Sequence, residues 1–401
     1  MHHLKKNIRL LLIPAALFFL AACSDRDDEP RVGPVENSRQ TMIVFMPWCS
    51  DLYYYFEDNV TALRKSVAEG MLQEERLLVC IGKDTRAALL IELYGHNGQC
   101  ISDTLLSYTD IDFTSRSGIT KMLTDAHRLA PSPHQALIVG SHGWGWLPAG
   151  VNPARAKETS LFLSGHGAET CPTRWFGAMS DDGQIEVQTL AGAIADASLH
   201  MDYILFDDCY MSSVEVAYDL RHATDYIVAC PTEIMAYGFP YDRCTRFLGS
   251  TPDYESLVTT FIDFYSTYKT PCATIGVTDC SRLEALAEAM REMNERFGEP
   301  DETLLAQIQT MDGLSPTLFY DLGDYCRHLC NEDETLRSRL DQLISQAVPY
   351  QGHTPYYYAA KSGSHRIDAF SGITTSAGSL SPFAASYAST AWYAATHSNS
   401  K

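Results

Sequence analysis

Two stretches of this sequence share one layout: ALIVGSHGWGW at residues 136–146 and YILFDDCYMSSVEVA at residues 203–217. Each begins with a short apolar run bounded by small or polar residues, which predicts a buried strand that ends in a turn. The first turn carries His142, and the second carries Cys209 ahead of a predicted helix. Ligands of open α/β sheets bind in the crevice outside the carboxyl ends of the strands. We therefore expect His142 and Cys209 to border one crevice.

Both residues also have an ordinary structural explanation. A single His in a loop is usually solvated or capped, and free cysteines are often buried apolar residues. Two acids, Asp207 and Asp208, precede Cys209 and argue against its full burial. Gly143, directly after His142, would let a substrate carbonyl approach a backbone N–H.

Along the rest of the chain, strand-like runs alternate with helical patterns, which is typical of a sheet covered by helices on both faces. Strands with helices between them are expected to run parallel. The predicted strands are 41–46, 76–81, 88–94, 135–140, 203–206, 226–229 and 273–277, and the predicted helices are 52–70, 118–129, 190–197, 213–221, 254–268 and 281–297. We predict an α/β fold with a mostly parallel sheet. A mainly helical C-terminal extension follows, with a strand at 356–360 and a closing helix at 386–397.

The composition excludes several classes of protein. Of the 401 residues, 45% are hydrophobic and 20% are charged, which is unlike a disordered chain or a fibre. The 50 acids against 30 Lys and Arg give a net charge of −20, which would repel a nucleic-acid backbone, so we predict no nucleic-acid partner. Twelve cysteines are too few for a disulfide scaffold, although Cys272 with Cys280 or Cys326 with Cys330 could pair.

The first segment has the features of an export signal. Basic residues precede an apolar run at residues 10–22, which is too short to span a bilayer. The run ends in Leu20-Ala21-Ala22-Cys23, which resembles the bacterial lipoprotein signature in which the Cys is lipidated and becomes the new amino terminus. An ordinary signal with a chance Cys is the alternative. The acidic stretch after Cys23 predicts a flexible tether and resembles, weakly, the surface-export signal of lipoproteins in the Bacteroides group.

Together, the segments around His142 and Cys209 resemble the clostripain family of cysteine peptidases, relatives of caspases, gingipains and legumain. These proteins share a strand that ends in His-Gly, followed by a strand that ends in Asp-x-Cys. The resemblance continues through Met211, Glu215 to Tyr218, Asp225 to Ala229 and Gly238 to Tyr241. It covers roughly Thr41 to Tyr241 well and the remainder loosely. It implies a caspase-like sheet and a cysteine endopeptidase.

The resemblance implies that Cys209 is the nucleophile and that His142 is the general acid that protonates the departing amine. A third, orienting carboxylate is not required in this clan. The backbone N–H groups of Gly143 and Cys209 would form the oxyanion hole. Asp207 matches the acid of the pocket that selects Arg or Lys on the acyl side of the scissile bond. Asp208 departs from the family, which often has a small residue there; it either caps the following helix or widens the acidic pocket.

Further candidates border the same crevice. Trp144 and Trp146 either wall the substrate cleft or pack under it, and packing is favoured for Trp146. Thr232 and Glu233 follow the strand predicted at 226–229 and are candidates for a substrate-binding loop.

Between residues 147 and 181 the periodicity stops, which indicates a functional or cleavable loop. An enzyme specific for basic residues could cut itself there, as members of the family often do, and we predict Lys157 or Arg155 as the processing site. His166 is a second His-Gly, but no apolar strand precedes it. Some family members need calcium, yet Asp181-Asp182-Gly183 offers too few ligands to predict a calcium site.

These features predict a lipid-anchored cysteine endopeptidase of the bacterial outer membrane that cleaves proteins or peptides after Arg or Lys. The predicted segments are a signal peptide at 1–22, a tether at 23–38, a catalytic core at 39–250 and a C-terminal extension at 251–401. The sequence requires no cofactor or metal and leaves calcium open. One alternative is a non-catalytic surface lipoprotein that binds proteins through the same sheet. Another is a thioester-forming hydrolase or transferase with a nonpeptide substrate.

Overall fold

The computed structural model of the protein describes residues 33–47, 51–84, 86–149, 177, 183–378 and 383–397. The strands of this part of the chain are β1 (Gln40–Met46), β2 (Glu75–Asp84), β3 (Ala87–His96), β4 (Gln99–Tyr108), β5 (His134–Gly140), β6 (Met201–Asp207), β7 (Thr224–Ala229), β8 (Thr274–Asp279), β9 (Tyr320–Asp321), β10 (Tyr350–His353), β11 (Tyr356–Ala359), β12 (Gly363–Arg366) and β13 (Thr374–Thr375). The helices are α1 (Tyr53–Ala68), α2 (Arg116–Leu129), α3 (Val187–Asp196), α4 (Val214–Leu220), α5 (Tyr241–Cys244), α6 (Tyr254–Ser266), α7 (Leu283–Phe297), α8 (Glu302–Leu305), α9 (Leu322–Leu329), α10 (Glu334–Ala347), α11 (Ala384–Tyr387) and α12 (Ala391–Thr396).

Nine strands form one sheet in the order β10-β8-β7-β6-β5-β1-β2-β3-β4. Its five central strands, β7, β6, β5, β1 and β2, run parallel to one another. Antiparallel strands extend the sheet at both edges, with β8 and β10 on one side and β3 and β4 on the other. The predicted mostly parallel sheet is confirmed.

The helices form two contacting groups, as expected for layers on the two faces of a sheet. One group contains α1, α5 and α6, and the other contains α2, α3, α4, α7, α9, α10 and α12. All seven residues of β1 are buried, and so is every residue of β5 except His134. Strands covered on both faces read as continuous apolar runs, which explains the unbroken MIVF of β1 and ALIV of β5.

The strand predictions differ from the structure in one orientation and at both edges of the sheet. A helix, α6, lies between β7 and β8, yet β8 runs antiparallel to β7, so the parallel orientation predicted there is wrong. The edge strand β4 was not predicted, because its sequence QCISDTLLSY is polar and mostly exposed and lacks the apolar run that marks the central strands. Strands β8 and β10 belong to the sheet although they follow residue 250. The predicted boundary at residue 250 therefore falls inside one compact unit, Pro34–Lys401.

The C-terminal part is helical from α7 to α10, and the predicted closing helix is divided into α11 and α12. Trp392 in α12 is buried and packs edge-on against Tyr218 of α4. Among the described residues, none of the helices has the length and apolarity to cross a membrane. The disulfides considered between Cys272 and Cys280 and between Cys326 and Cys330 are not formed, because Cys280, Cys326 and Cys330 have free thiols.

Candidate active site

The register of β5 and β6 brings the predicted dyad residues together. Gly140, the last residue of β5, pairs with Asp207, the last residue of β6. His142 and Cys209 therefore each lie two residues beyond a paired position on neighbouring parallel strands. A Cβ atom on Gly143 would lie 2.3 Å from the Cys209 carbonyl oxygen and 3.0 Å from the Cys209 backbone nitrogen. The absence of a side chain at Gly143 is what allows these two turns to touch.

The sulfur of Cys209 is enclosed by the loop that follows β7. The Ile234 N–H donates to Sγ at 3.3 Å, and Sγ lies 3.7 Å from the Ile234 carbonyl oxygen. Cys209 is fully buried, so the expectation that two preceding acids would keep it exposed is wrong. The physical reason is that both acids are themselves buried in internal hydrogen bonds.

The His142 imidazole is also buried. Its Nε2 lies 2.9 Å from Oδ1 of Asp51, a carboxylate that the sequence did not single out. The His142 backbone N–H donates to the Gly177 carbonyl at 3.3 Å, and its own carbonyl accepts from Ser141 Oγ at 2.8 Å. The ring and the backbone of His142 are therefore held by different partners.

Asp208 joins the ends of β5 and β6. Its Oδ1 accepts from the Ser141 N–H at 2.5 Å, and its Oδ2 lies 3.1 Å from Ser141 Oγ. The helix-cap hypothesis for Asp208 is wrong, because α4 is capped by Ser213, whose Oγ accepts from the Val216 N–H. Instead, Asp208 fixes the backbone of the residue next to His142.

Asp207 points into the protein behind the nucleophile and is fully buried. Its Oδ1 accepts from the Phe239 N–H at 3.1 Å, and its Oδ2 accepts from the Tyr241 hydroxyl at 3.0 Å. Both of these donors are neutral groups. A buried carboxylate of this kind favours a cationic partner.

The two tryptophans pack rather than form an open wall. Trp144 is 9% exposed and stacks on Tyr210, with ring centroids 5.3 Å apart, and Tyr210 stacks in turn on Phe319. Trp146 is buried, and its indole N–H donates to Ser376 Oγ at 2.7 Å, which confirms core packing. The substrate contact considered for Trp144 stays a prediction; in this structure its ring belongs to the aromatic stack.

Thr232 and Glu233 support the turn at the nucleophile. Tyr210, directly after Cys209, has φ 59°, a left-handed conformation that costs a residue with a side chain roughly 1–2 kcal/mol. Its N–H donates to the Thr232 carbonyl at 3.1 Å, and its hydroxyl donates to the Glu233 carboxylate at 2.7 Å. The substrate contacts predicted for these two side chains stay a prediction; in this structure Thr232 is fully buried, and Glu233 is bonded to Tyr210 and to the Ala360 N–H. Burial raises the pKa of Glu233.

Several predicted residues lie outside the described residues, namely Cys23, Arg155, Lys157, His166, Asp181 and Asp182. Within the described ranges, no group of three or more His, Cys, Asp or Glu side chains is arranged to hold a metal ion.

The sequence profile of the clostripain family matches residues 44–335. This chain belongs to the clostripain family. It is a cysteine protease, and the predicted family and enzyme class are confirmed. Family membership favours proteolysis over the non-catalytic binding protein considered above. A search of the curated proteins found no match.

Solved structures agree with this family assignment. A secreted C11 cysteine protease from Bacteroides thetaiotaomicron, iotapain, is 39% identical, with a TM-score of 0.83 over 90% of this chain and 100% of that one. An inactive zymogen C11 protease from Parabacteroides distasonis is 25% identical, with a TM-score of 0.75 over 92% of this chain and 100% of that one. A clostripain from Bacteroides thetaiotaomicron, solved with the peptide inhibitor BTN-VLTK-AOMK, is 46% identical, with a TM-score of 0.54 over 56% of this chain and 99% of that one.

Two residues of the clostripain-family site were missed by reasoning from sequence, Asp51 and Ile234. Asp51 lies between β1 and α1, and nothing in its local sequence shows that β1 neighbours β5. Ile234 contacts the sulfur through its backbone, which carries no side-chain signature. The sequence did predict that residues 232 and 233 border the crevice. The residue that contacts the Cys209 sulfur is the next one, Ile234.

Proposed function

We propose that this protease is a lipid-anchored endopeptidase that cleaves after Arg or Lys, with Cys209 as nucleophile and His142 as general acid. The observation that carries the proposal is the paired register of Gly140 and Asp207, with each dyad residue two positions beyond it. Adjacent parallel strands keep such positions at neighbouring points of one sheet edge.

In this mechanism the Cys209 thiolate attacks the carbonyl carbon of the scissile peptide bond. The tetrahedral oxyanion accepts hydrogen bonds from the backbone N–H groups of Gly143 and Cys209. When the C–N bond breaks, the His142 imidazolium gives its proton to the leaving amine, and a thioester remains on Cys209. Water then attacks the thioester carbon and gives one proton to neutral His142, and the C–S bond breaks. This releases the acid and restores the Cys209 thiolate and the His142 imidazolium. Loss of one oxyanion donor typically costs about 10²- to 10³-fold in rate.

The specificity follows from Asp207. A Lys or Arg side chain of the substrate would pair with the buried Asp207 carboxylate, whereas a neutral side chain would not. The inhibitor BTN-VLTK-AOMK of the Bacteroides thetaiotaomicron clostripain carries Lys directly before its AOMK group, which supports a basic residue at this position.

Peptide substrates that differ only in the residue before the scissile bond test the preference for Lys or Arg and the catalytic roles of Cys209 and His142. We expect the parent protein to prefer Lys or Arg over Gln or Leu by about 10²-fold or more in kcat/KM, since sites built around a buried polar group discriminate strongly. Asp207→Asn should lose most of that preference while keeping its melting temperature within a few degrees. Cys209→Ala and His142→Ala should be inactive on every peptide. Equal cleavage of all four peptides would reject the specificity, and an active Cys209→Ala would reject the nucleophile.

We further propose that the uncut chain is latent and matures by cleaving itself after Lys157 or Arg155. Two observations support this: the sulfur of Cys209 is fully buried beneath Ile234, and the Parabacteroides distasonis relative is an inactive zymogen. The parent should yield two fragments on incubation, whereas Cys209→Ala should remain one chain. A double Lys157→Ala, Arg155→Ala variant should stay uncut. Intact parent protein under activating conditions would reject self-maturation.

We also propose that Cys23 anchors the protein in the bacterial outer membrane and that catalysis needs no cofactor. The parent should incorporate an alkyne fatty acid and fractionate with membranes, whereas Cys23→Ala should do neither.

Calcium dependence is tested by adding Ca²⁺ to protein treated with a chelator. We expect peptide cleavage without added Ca²⁺, because Asp181 and Asp182 alone cannot supply the six to eight oxygen ligands that the ion takes.

A further inference from the structure

The order of the strands places a third functional group beside the dyad. In the sheet, β6 neighbours β5 and β5 neighbours β1, and all three run parallel. Their carboxyl ends therefore lie side by side. The segments that leave these ends carry Cys209, His142 and Asp51, in the same order as the strands.

Asp51 contacts the ring of His142 directly. Its Oδ1 lies 2.9 Å from Nε2, with the imidazole side chain 1% exposed and the Asp51 side chain 48% exposed. Asp51 thus reaches inward from the surface to a ring that water hardly touches. A ring in this position takes its orientation from protein groups, because solvent is not there to supply hydrogen bonds.

The start of α1 favours the ionised form of Asp51. The helix is 16 residues long, its N-cap is Leu52, and its first turn contains no acid. The N-terminus of a helix carries a partial positive charge that stabilises a nearby carboxylate. Asp51 directly precedes the N-cap, so the helix and the imidazole act on the same carboxylate.

We propose that Asp51 is a positioning residue for catalysis: it holds His142 with a proton on Nε2, so that Nδ1 carries out the proton transfers. The proposal rests on the proposed roles of His142 and Cys209. A carboxylate can only accept a hydrogen bond, so Nε2 must be the donor. In neutral imidazole the other ring nitrogen is then the acceptor.

The proton count is consistent with both half-reactions. During acylation, the imidazolium loses the Nδ1 proton to the leaving amine. The other proton stays on Nε2, hydrogen-bonded to the Asp51 carboxylate. During deacylation, neutral Nδ1 takes a proton from the attacking water, and the Nε2 hydrogen bond is again unchanged. Asp51 remains ionised throughout and stabilises the imidazolium at each point where the ring is charged.

The test compares Asp51→Ala with a conservative variant and a matched control. Removing the orienting acid of a Ser-His-Asp triad lowers kcat by about 10⁴-fold. Asp51 is half exposed, so water can replace part of its effect, and we expect Asp51→Ala to lower kcat by about 10- to 100-fold with KM within threefold. Asp51→Glu should restore at least part of kcat. Asp58→Ala, which removes an exposed acid from α1, the helix that follows Asp51, should match the parent.

Each preparation is titrated with an irreversible Lys acyloxymethyl ketone, so that kcat is counted per competent Cys209. The proposal is supported if Asp51→Ala loses kcat with little change in KM and Asp51→Glu regains activity. It is overturned if Asp51→Ala retains kcat within threefold of the parent, if KM changes as much as kcat, or if Asp51→Glu restores nothing. An active Cys209→Ala would instead reject the proposed function. The two failures are therefore distinct.

Discussion

Replacement of Gly143 by Ala probes the contact on which the dyad geometry depends. The new Cβ would lie 2.3 Å from the Cys209 carbonyl oxygen, 3.0 Å from the Cys209 nitrogen and 2.9 Å from Asp208 Cβ. Two of these atoms belong to the backbone, so no flexible side chain can move aside. The turn that carries His142 must instead move away from the turn that carries Cys209.

The size of that movement follows from the contact distances. Ordinary contacts begin near 3.4 Å, so the two turns must separate by about 1 Å. A misplacement of about 1 Å in a catalytic site can cost about 10²-fold in rate. Overpacking of a close-packed interior costs about 1–3 kcal/mol. We therefore expect Gly143→Ala to lower kcat/KM by about 10²-fold and to reduce the free energy of unfolding by about 1–3 kcal/mol.

Peptide cleavage by matured protein and urea unfolding of the same preparation measure the two effects. Gly298→Ala is the control for stability loss alone: Gly298 has φ 71°, and its Cβ would meet nothing within 4 Å. A side chain at such a φ costs about 1 kcal/mol or somewhat more, and this position at the end of α7 lies outside the crevice. We expect Gly298→Ala to lose stability and keep its activity. If Gly143→Ala retained kcat/KM within threefold of the parent, the close approach of the two turns would not be what sets the dyad geometry.

Two further predictions concern buried carboxylates. Asp208→Ala should lower the free energy of unfolding by about 2–4 kcal/mol, because the buried Ser141 N–H loses its acceptor, and Asp208→Asn should lose less; urea titration at neutral pH measures both. Burial raises the pKa of Glu215 to about 7, while its carboxylate accepts from Thr375 and Ser376. An acid with a raised folded pKa binds more protons when folded, so its contribution to stability falls as pH rises from about 4.5 to about 7. The stability of Glu215→Gln relative to the parent should therefore increase by about 3 kcal/mol between pH 4 and pH 8, and a difference independent of pH would contradict the raised pKa.

The central strands could be predicted from sequence because burial on both faces leaves an unbroken apolar run. Strands β1, β5 and β6 were predicted in this way, and the site lies at their carboxyl ends. Edge strands have no such signal, since one side faces solvent and polar residues are tolerated, as in β4. Spatial order is a further difficulty: β1 is first in sequence but lies between β2 and β5. Local sequence contains no information on that placement, and the contact of Asp51 with His142 depends on it.

The site was predictable in its positions but less so in the directions of its side chains. His142, Gly143 and Cys209 were found because each follows a recognisable strand. The direction of a side chain in a turn depends on partners from elsewhere in the fold, which is why Asp208 was assigned to the wrong hydrogen bond. The packing of Trp144 likewise depends on a distant segment, since the ring on which it stacks belongs to Tyr210.

Three buried acids hold the backbone around the nucleophile. Asp207 bonds to the 239–241 segment, Asp208 to the end of β5 and Glu215 to the segment after β13, so three carboxylates fix the backbone around Cys209 from three sides. Buried carboxylates are often less stabilising than apolar residues of similar volume. We therefore attribute to these three the orientation of the backbone around Cys209 rather than a gain in stability. The sulfur itself is covered by the backbone of Ile234. Exposure of the sulfur therefore requires movement at Ile234.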